Sequence, residues 1–279
     1  GANLAGAYLA GAVPHRGPGG VPVTPGLDAR SMIEAPRRAY LTLGTEPERD
    51  CWNGAAATRA LGAAKVVALA SFLSPGMREY ADCVLPLAAF GETAGICVNA
   101  AGDIQRFDAV SVPAGEARPG WKILRALGAT LTPASGFEFT TLAEVRAAVM
   151  AAIGHTHHEA VYAGHWEPAP AADEQIPELR AVVEVGLYAG EPLLRRSAPL
   201  QATADARASA CAWLHPDDAS ARGIQAGDQV RIAGAETENE VEIAFDPGVV
   251  PGTLWLPAGL GFALWESATL AAVPRAAEA

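Results

Sequence analysis

Lysine is almost missing from this chain: Lys65 and Lys122 stand against eighteen arginines in 279 residues. With the abundance of Ala and Gly, we read this as composition bias. Also absent are G-x-G-x-x-G behind the first strand and G-x-x-x-x-G-K-[ST], which removes the two common glycine-rich phosphate cradles. There is no G-x-S-x-G and hence no nucleophile elbow. The cysteines Cys51, Cys83, Cys97 and Cys211 form no C-x-x-C, and no two lie within ten residues of each other. Zinc and iron–sulfur sites set their thiolates in close pairs, so these read as four reduced, mostly buried thiols. No apolar run approaches the roughly 18 residues of a membrane span. No charged n-region and cleavage site open the chain, so no secretory signal is expected. The opening GANLAGAYLAGAVPHR reads as the interior of a domain, and a piece of a longer protein is expected.

What is present is apolar and acidic. Half the residues are hydrophobic, 18% are charged and the net charge is −11, which suits folded domains and excludes a chain disordered throughout. The charge is uneven. Residues 1–150 carry thirteen basic and thirteen acidic side chains, 151–196 three and seven, and 197–279 four and eleven. The back half repels polyanions, so neither nucleic acid nor an anionic lipid surface is an expected partner.

Hydrophobic patterning divides the chain. Gly and Pro from 1 to 30 predict loop. RAYLTLG (38–44), KVVALASF (65–72) and DCVLPLA (82–88) read as buried strands, and helices are expected at 52–63 and 74–81 between them. That alternation predicts an α/β domain with a parallel sheet. Residues 89–118 predict a long ordered loop or hairpin. Helices follow at 119–131 and 141–154, the second with Thr141 as N-cap, Glu144 at the capping-box position and Gly154 at its end. Residues 155–179 read as a linker, 181–188 as strand-like, and 193–206 shows no period. From 207 the pattern turns to short strands: 209–214, QVRIAGA and EVEIAFD joined by a turn at TENE (237–240), and TLWLP (253–257) as the last. A helix at 215–223 lies among them. Close-set short strands predict a small β-barrel. The expected domains are 1–153 (α/β), 154–196 (connecting segment) and 197–279 (barrel).

Few residues carry chemistry by spacing. His155, His157, His158 and Glu159 form H-x-H-H-E, but past a helix stop and before a Pro-rich stretch. That favours a solvated segment over a metal site, and no metal ligands are expected. Lone His15 and His165 read as loop residues. The six tryptophans read as core or interface anchors rather than a stacking platform. The turn GTEPERD (44–50) could offer backbone N–H groups at a strand's carboxyl end, yet Glu46, Glu48 and Asp50 would oppose an anionic ligand. No catalytic residue follows from these patterns.

Two stretches carry a resemblance. Residues 81–127, through Asp82, Val84, Leu85, Pro86, Glu92, Gly95, Asn99, Gly102, Gln105, Gly115, Glu116, Ala117, Pro119 and Trp121, resemble a block of the molybdopterin-dependent oxidoreductases. Residues 214–257, through Asp217, Ala219, Gly223, Ile224, Gly227, Asp228, Val230, Val250 and Gly252, resemble that family's dinucleotide-binding barrel. Within the family, 3–16 and 191–206 look most like the branch of large G subunits of bacterial proton-pumping NADH–quinone oxidoreductase, respiratory complex I. This resemblance implies a carboxyl-terminal half with no cofactor of its own. The parent complex would hold iron–sulfur clusters and FMN, the partners would be other peripheral-arm subunits, and the location the cytoplasmic side of the bacterial inner membrane. The alternative is the back half of a working molybdopterin enzyme such as a formate dehydrogenase. Gly44, Thr45, Pro47, Glu92, Thr93 and Asn99 would then be candidate cofactor contacts. A free-standing assembly domain is a third class.

Overall fold

The computed structural model describes residues 3–132, 136–154, 179–234, 237–262 and 267–273. It resolves into two compact units, 1–45 with 61–168 and 46–60 with 169–279. Both expected architectures are present: a mixed α/β unit with a parallel sheet, and a closed barrel.

In the first unit, β1 (Ala39–Leu43), β2 (Lys65–Ala70) and β3 (Cys83–Pro86) form a parallel sheet in that order. The central strand is a nearly continuous apolar run, as a strand covered on both faces must be. Val66, Ala68 and Ala70 pack with Leu61, Met77 and Tyr80 in one core. The helix Pro75–Tyr80 starts where Ser74 accepts a hydrogen bond from the Met77 N–H, at 3.1 Å. Asp82 ties β2 to the approach of β3. Its carboxylate accepts from the Val66 N–H (2.8 Å) and from Lys65 Nζ (2.7 Å).

β4 (Gly95–Val98) and β5 (Ile104–Phe107) make the hairpin expected within 89–118. The helices Gly120–Leu131 and Leu142–Ile153 follow, the latter with the reciprocal Thr141–Glu144 capping box. The opening segment is not the expected loop. Leu4–Ala10 and Ala29–Glu34 are helices, and Asn3 Oδ1 accepts from the Val98 N–H at 2.8 Å, anchoring the first to β4.

In the second unit, β6 (Leu179–Glu184), β7 (Ala212–Leu214), β8 (Gln229–Ala233), β9 (Glu238–Phe245), β10 (Thr253–Pro257) and β11 (Ser267–Ala272) close a barrel in the order β10-β6-β11-β8-β9-β7. Alternation sets its inside: Leu214 faces Leu254, and Val230, Ile232 and Ile243 fill the interior. Four sequence expectations shift. The turn placed at TENE is too late, because Glu238, Asn239 and Glu240 already pair in β9. TLWLP is not the last strand, since the alanine-rich SATLAA forms β11. The strand read at 209–214 begins only at Ala212, and 193–206 contains short helical turns at Leu194–Arg196, Ala198–Gln201 and the start of Ala204–Ala208. A helical turn, Pro47–Asp50, precedes the helix Gly54–Gly62.

The cysteines are not mostly buried: Cys83 is exposed, the other three are half-buried, and all are free. Among the described residues no helix is long and apolar enough to cross a membrane.

Two outcomes follow. Leu214→Ala leaves a void in a closed interior and is expected to cost about 2–5 kcal/mol, read as a lowered urea midpoint of the barrel's unfolding. Asp82 accepts hydrogen bonds from Lys65 and Val66, which hold its folded-state pKa below the ordinary carboxylate value. The stabilisation is therefore complete above that ordinary value and is lost as pH falls through the lowered one. Asp82→Asn is expected to flatten this acid limb of the stability–pH curve, and an unchanged limb would contradict the assignment.

Candidate functional site

The turn after β1 begins with Gly44, whose φ of +62° is the left-handed conformation glycine adopts freely. Its N–H is already engaged, donating to the Leu69 carbonyl at 2.8 Å. A Cβ there would meet only Leu87, at 3.6 Å, so the glycine serves the turn rather than clearing space for a ligand. Thr45 is exposed. Pro47 is buried at the first position of the next helical turn, where proline's missing N–H costs nothing.

The acidic part of that turn, taken within the barrel unit, is not the open negative patch the sequence suggests. Glu46 is 4% exposed. Arg196 lies 2.7 Å from its Oε1, and Arg195 NH1 lies 3.5 Å from its Oε2. Arg195 also donates through NH2 to Asp50 Oδ1, while Asp50 Oδ2 accepts the Glu46 N–H at 2.7 Å. Both arginines sit on the short turn Leu194–Arg196, whose first N–H is held by the Glu191 carboxylate at 2.9 Å. Two carboxylates thus meet two guanidinium groups. The repulsion expected from Glu46 and Asp50 is cancelled where it arises, a correction no local sequence spacing could supply.

The motif from Glu92 to Gln105 builds the hairpin. Glu92 accepts from the N–H groups of Ala89 (2.9 Å) and Ala114 (3.2 Å). Thr93 Oγ1 donates to the Phe90 carbonyl at 3.2 Å. Gly95 lies under Phe107, and a Cβ there would come within 2.5 Å of the ring. Asn99 Oδ1 accepts from Ala101 and Asp103, its Nδ2 donates to Asp103, and Gly102 completes the turn at φ +89°. The 214–257 motif does likewise for the barrel. His215 caps the helix Pro216–Arg222, Gly223 ends it at φ +66°, Asp218 accepts from the Gly252 N–H (2.7 Å), and Gly227 donates to Ile243.

A cleft of about 530 Å³ opens on the outer side of the barrel wall, among Glu184, Asp205, Cys211, Trp213, Asp246 and Trp255. Trp213 and Trp255 are cross-strand partners on β7 and β10, and their neighbours Leu214 and Leu254 point inward. The Trp213 indole N–H donates to the Ala208 carbonyl at 2.9 Å, and Trp255 is 39% exposed. Burial, then the charge of Glu242, pushes the Cys211 thiol up, away from the reactive thiolate form. Cys51 is raised likewise, by burial, Asp50 and Glu48. Sequence reasoning passed over this cleft because strand register, invisible in spacing, pairs the two indoles. Among the described residues no three His, Cys, Asp or Glu side chains could hold a metal ion. The cluster His155, His157, His158 and Glu159, with His165, lies outside the described residues.

A pterin dinucleotide is anionic and needs N–H donors and cations. Of the residues singled out for one, the Gly44 N–H, Glu92, Thr93 and Asn99 are engaged within the fold, and Thr45 is exposed. Arg196 pairs with Glu46 and Arg195 with Glu46 and Asp50, and Arg195 Nη1 is buried without a hydrogen-bond partner.

Comparison with known proteins identifies the two parts. A family model described as Molybdopterin oxidoreductase matches residues 1–130, and one described as Molydopterin dinucleotide binding domain matches 195–274. A curated tetrathionate reductase chain from Archaeoglobus fulgidus is 42% identical over 50 residues, 18% of this chain and 4% of that one. Acetylene hydratase from Pelobacter acetylenicus superposes with a TM-score of 0.56 at 18% identity, over 82% of this chain and 39% of its own. The chain thus spans well under half the length of either, and the structural likeness speaks to the fold. It carries a molybdopterin oxidoreductase domain followed by a molydopterin dinucleotide-binding domain.

Proposed function

We propose that this chain is a structural part of the large G subunit of a proton-pumping NADH–quinone oxidoreductase. In that reading it supports electron transfer from NADH to quinone without a redox centre of its own. The observation that carries it is the ion-pair set of Glu46, Asp50, Arg195 and Arg196. In a fold named for an anionic cofactor, the cations of the turn Leu194–Arg196 balance the carboxylates of Glu46 and Asp50. The likeness of residues 3–16 and 191–206 to that branch supports the same reading, and the second stretch is the one that supplies both arginines. Its partners are the other subunits of the peripheral arm, on the cytoplasmic face of the bacterial inner membrane. The iron–sulfur clusters and FMN belong to the rest of the assembly.

A second reading rests on the two domain matches themselves. It makes the chain the carboxyl-terminal half of a working molybdopterin enzyme, such as a formate dehydrogenase. Elemental analysis of the parent polypeptide, purified from its native host, separates the two. Iron with no molybdenum, tungsten or released pterin is the expected result. Stoichiometric molybdenum or tungsten with pterin would overturn the scaffold reading and establish the second.

A further inference from the structure

The outer cleft of the barrel is independent of either reading. Its wall combines two features that select a ligand class. One is the indole pair: Trp213 and Trp255 face each other across β7 and β10 and share the outward side. Trp213 is fixed by its hydrogen bond to Ala208, which leaves Trp255 as the exposed ring. The other is charge. Glu184 ends β6, Asp205 lies in the helix Ala204–Ala208, and Asp246 follows β9, so three separate elements bring carboxylates to one cleft. No lysine or arginine lines it, and none of the three carboxylates has an ion-pair partner among the described residues. Asp246 Oδ1 accepts from the Gly248 N–H.

An anion would meet three like charges here. A bare divalent ion needs converging ligands, and these carboxylates are not grouped to hold one. A weakly hydrated, planar cation meets both features, because guanidinium stacks on indole and donates to carboxylates in several directions. The cleft exceeds such a group in volume, and Leu187, Val249 and Pro257 offer it apolar flanks. The surrounding segment 197–279, with four basic and eleven acidic side chains, supplies the complementary field.

We propose that this cleft is the docking pocket for an arginine of a partner protein, carried on a segment with apolar residues beside it. The indole of Trp255 takes the guanidinium face, and Asp205, Asp246 and Glu184 take its N–H groups.

The test titrates the whole 279-residue chain with a capped Gly-Leu-Arg-Leu-Gly peptide, followed by tryptophan emission and calorimetry. Saturable binding that weakens as salt rises is expected. Replacing the peptide's arginine by neutral citrulline, or introducing Trp255→Ala, is expected to weaken it about ten-fold. Asp205→Asn combined with Asp246→Asn, which keeps the side-chain acceptors, is expected to weaken it comparably while circular dichroism stays unchanged. Capped arginine amide alone is expected to bind more weakly than the peptide. The proposal is overturned by no saturable binding at millimolar peptide, by equal binding of the citrulline peptide, or by folded variants that bind as before. Arginine amide binding as tightly as the peptide also overturns it, because the pocket would then take a free small cation.

Discussion

A carboxylate as deeply enclosed as Glu46 cannot stand without a counter-charge, and the chain supplies one from a turn far along the sequence. Asp50 and Arg195 are 145 residues apart, so the fold as a whole closes that loop and the pair fixes where its ends meet. Buried ion pairs contribute less to net stability than to specificity, because desolvation consumes much of the attraction. Losing one partner is the severe event, since it strands the other charge. The segment 46–60 groups with the barrel, held by this cluster and by backbone hydrogen bonds of Gly54 to Gly259 and of Gly261 to Trp52.

Local chemistry made much of this architecture legible. Thr141, three residues before Glu144, announces a helix start by satisfying free N–H groups, and the helix begins there. The three parallel strands and the β8–β9 pair follow from apolar runs and alternation. The misses have physical causes too. Leu4–Ala10 hides behind glycines that suggest loop, yet Asn3 and the hairpin hold it. SATLAA has only Thr269 among the β-branched and aromatic residues that mark a strand, and β8 and β6 recruit it by pairing.

The site was harder to read, because every decisive interaction joins distant residues. GTEPERD on its own is an acidic turn, and LLRR on its own is a basic one. Only the fold makes them one neutral cluster. The motifs that carry the family likeness turn out to encode hairpin and barrel geometry through Glu92, Gly95, Asn99, Gly223 and Gly252. Such residues hold turns and caps of the fold, so their presence speaks for architecture, and function must be argued from the site.

The account stands on Arg196 and Glu46 being committed to each other. A double-mutant cycle with Glu46→Gln and Arg196→Gln, read by urea unfolding, measures that directly. The predicted result is a coupling of about 1–3 kcal/mol, with the double variant losing less stability than the two single losses summed. Effects that simply add, to within about 0.5 kcal/mol, would show the pair uncoupled, the arginine free for another anion, and the account wrong.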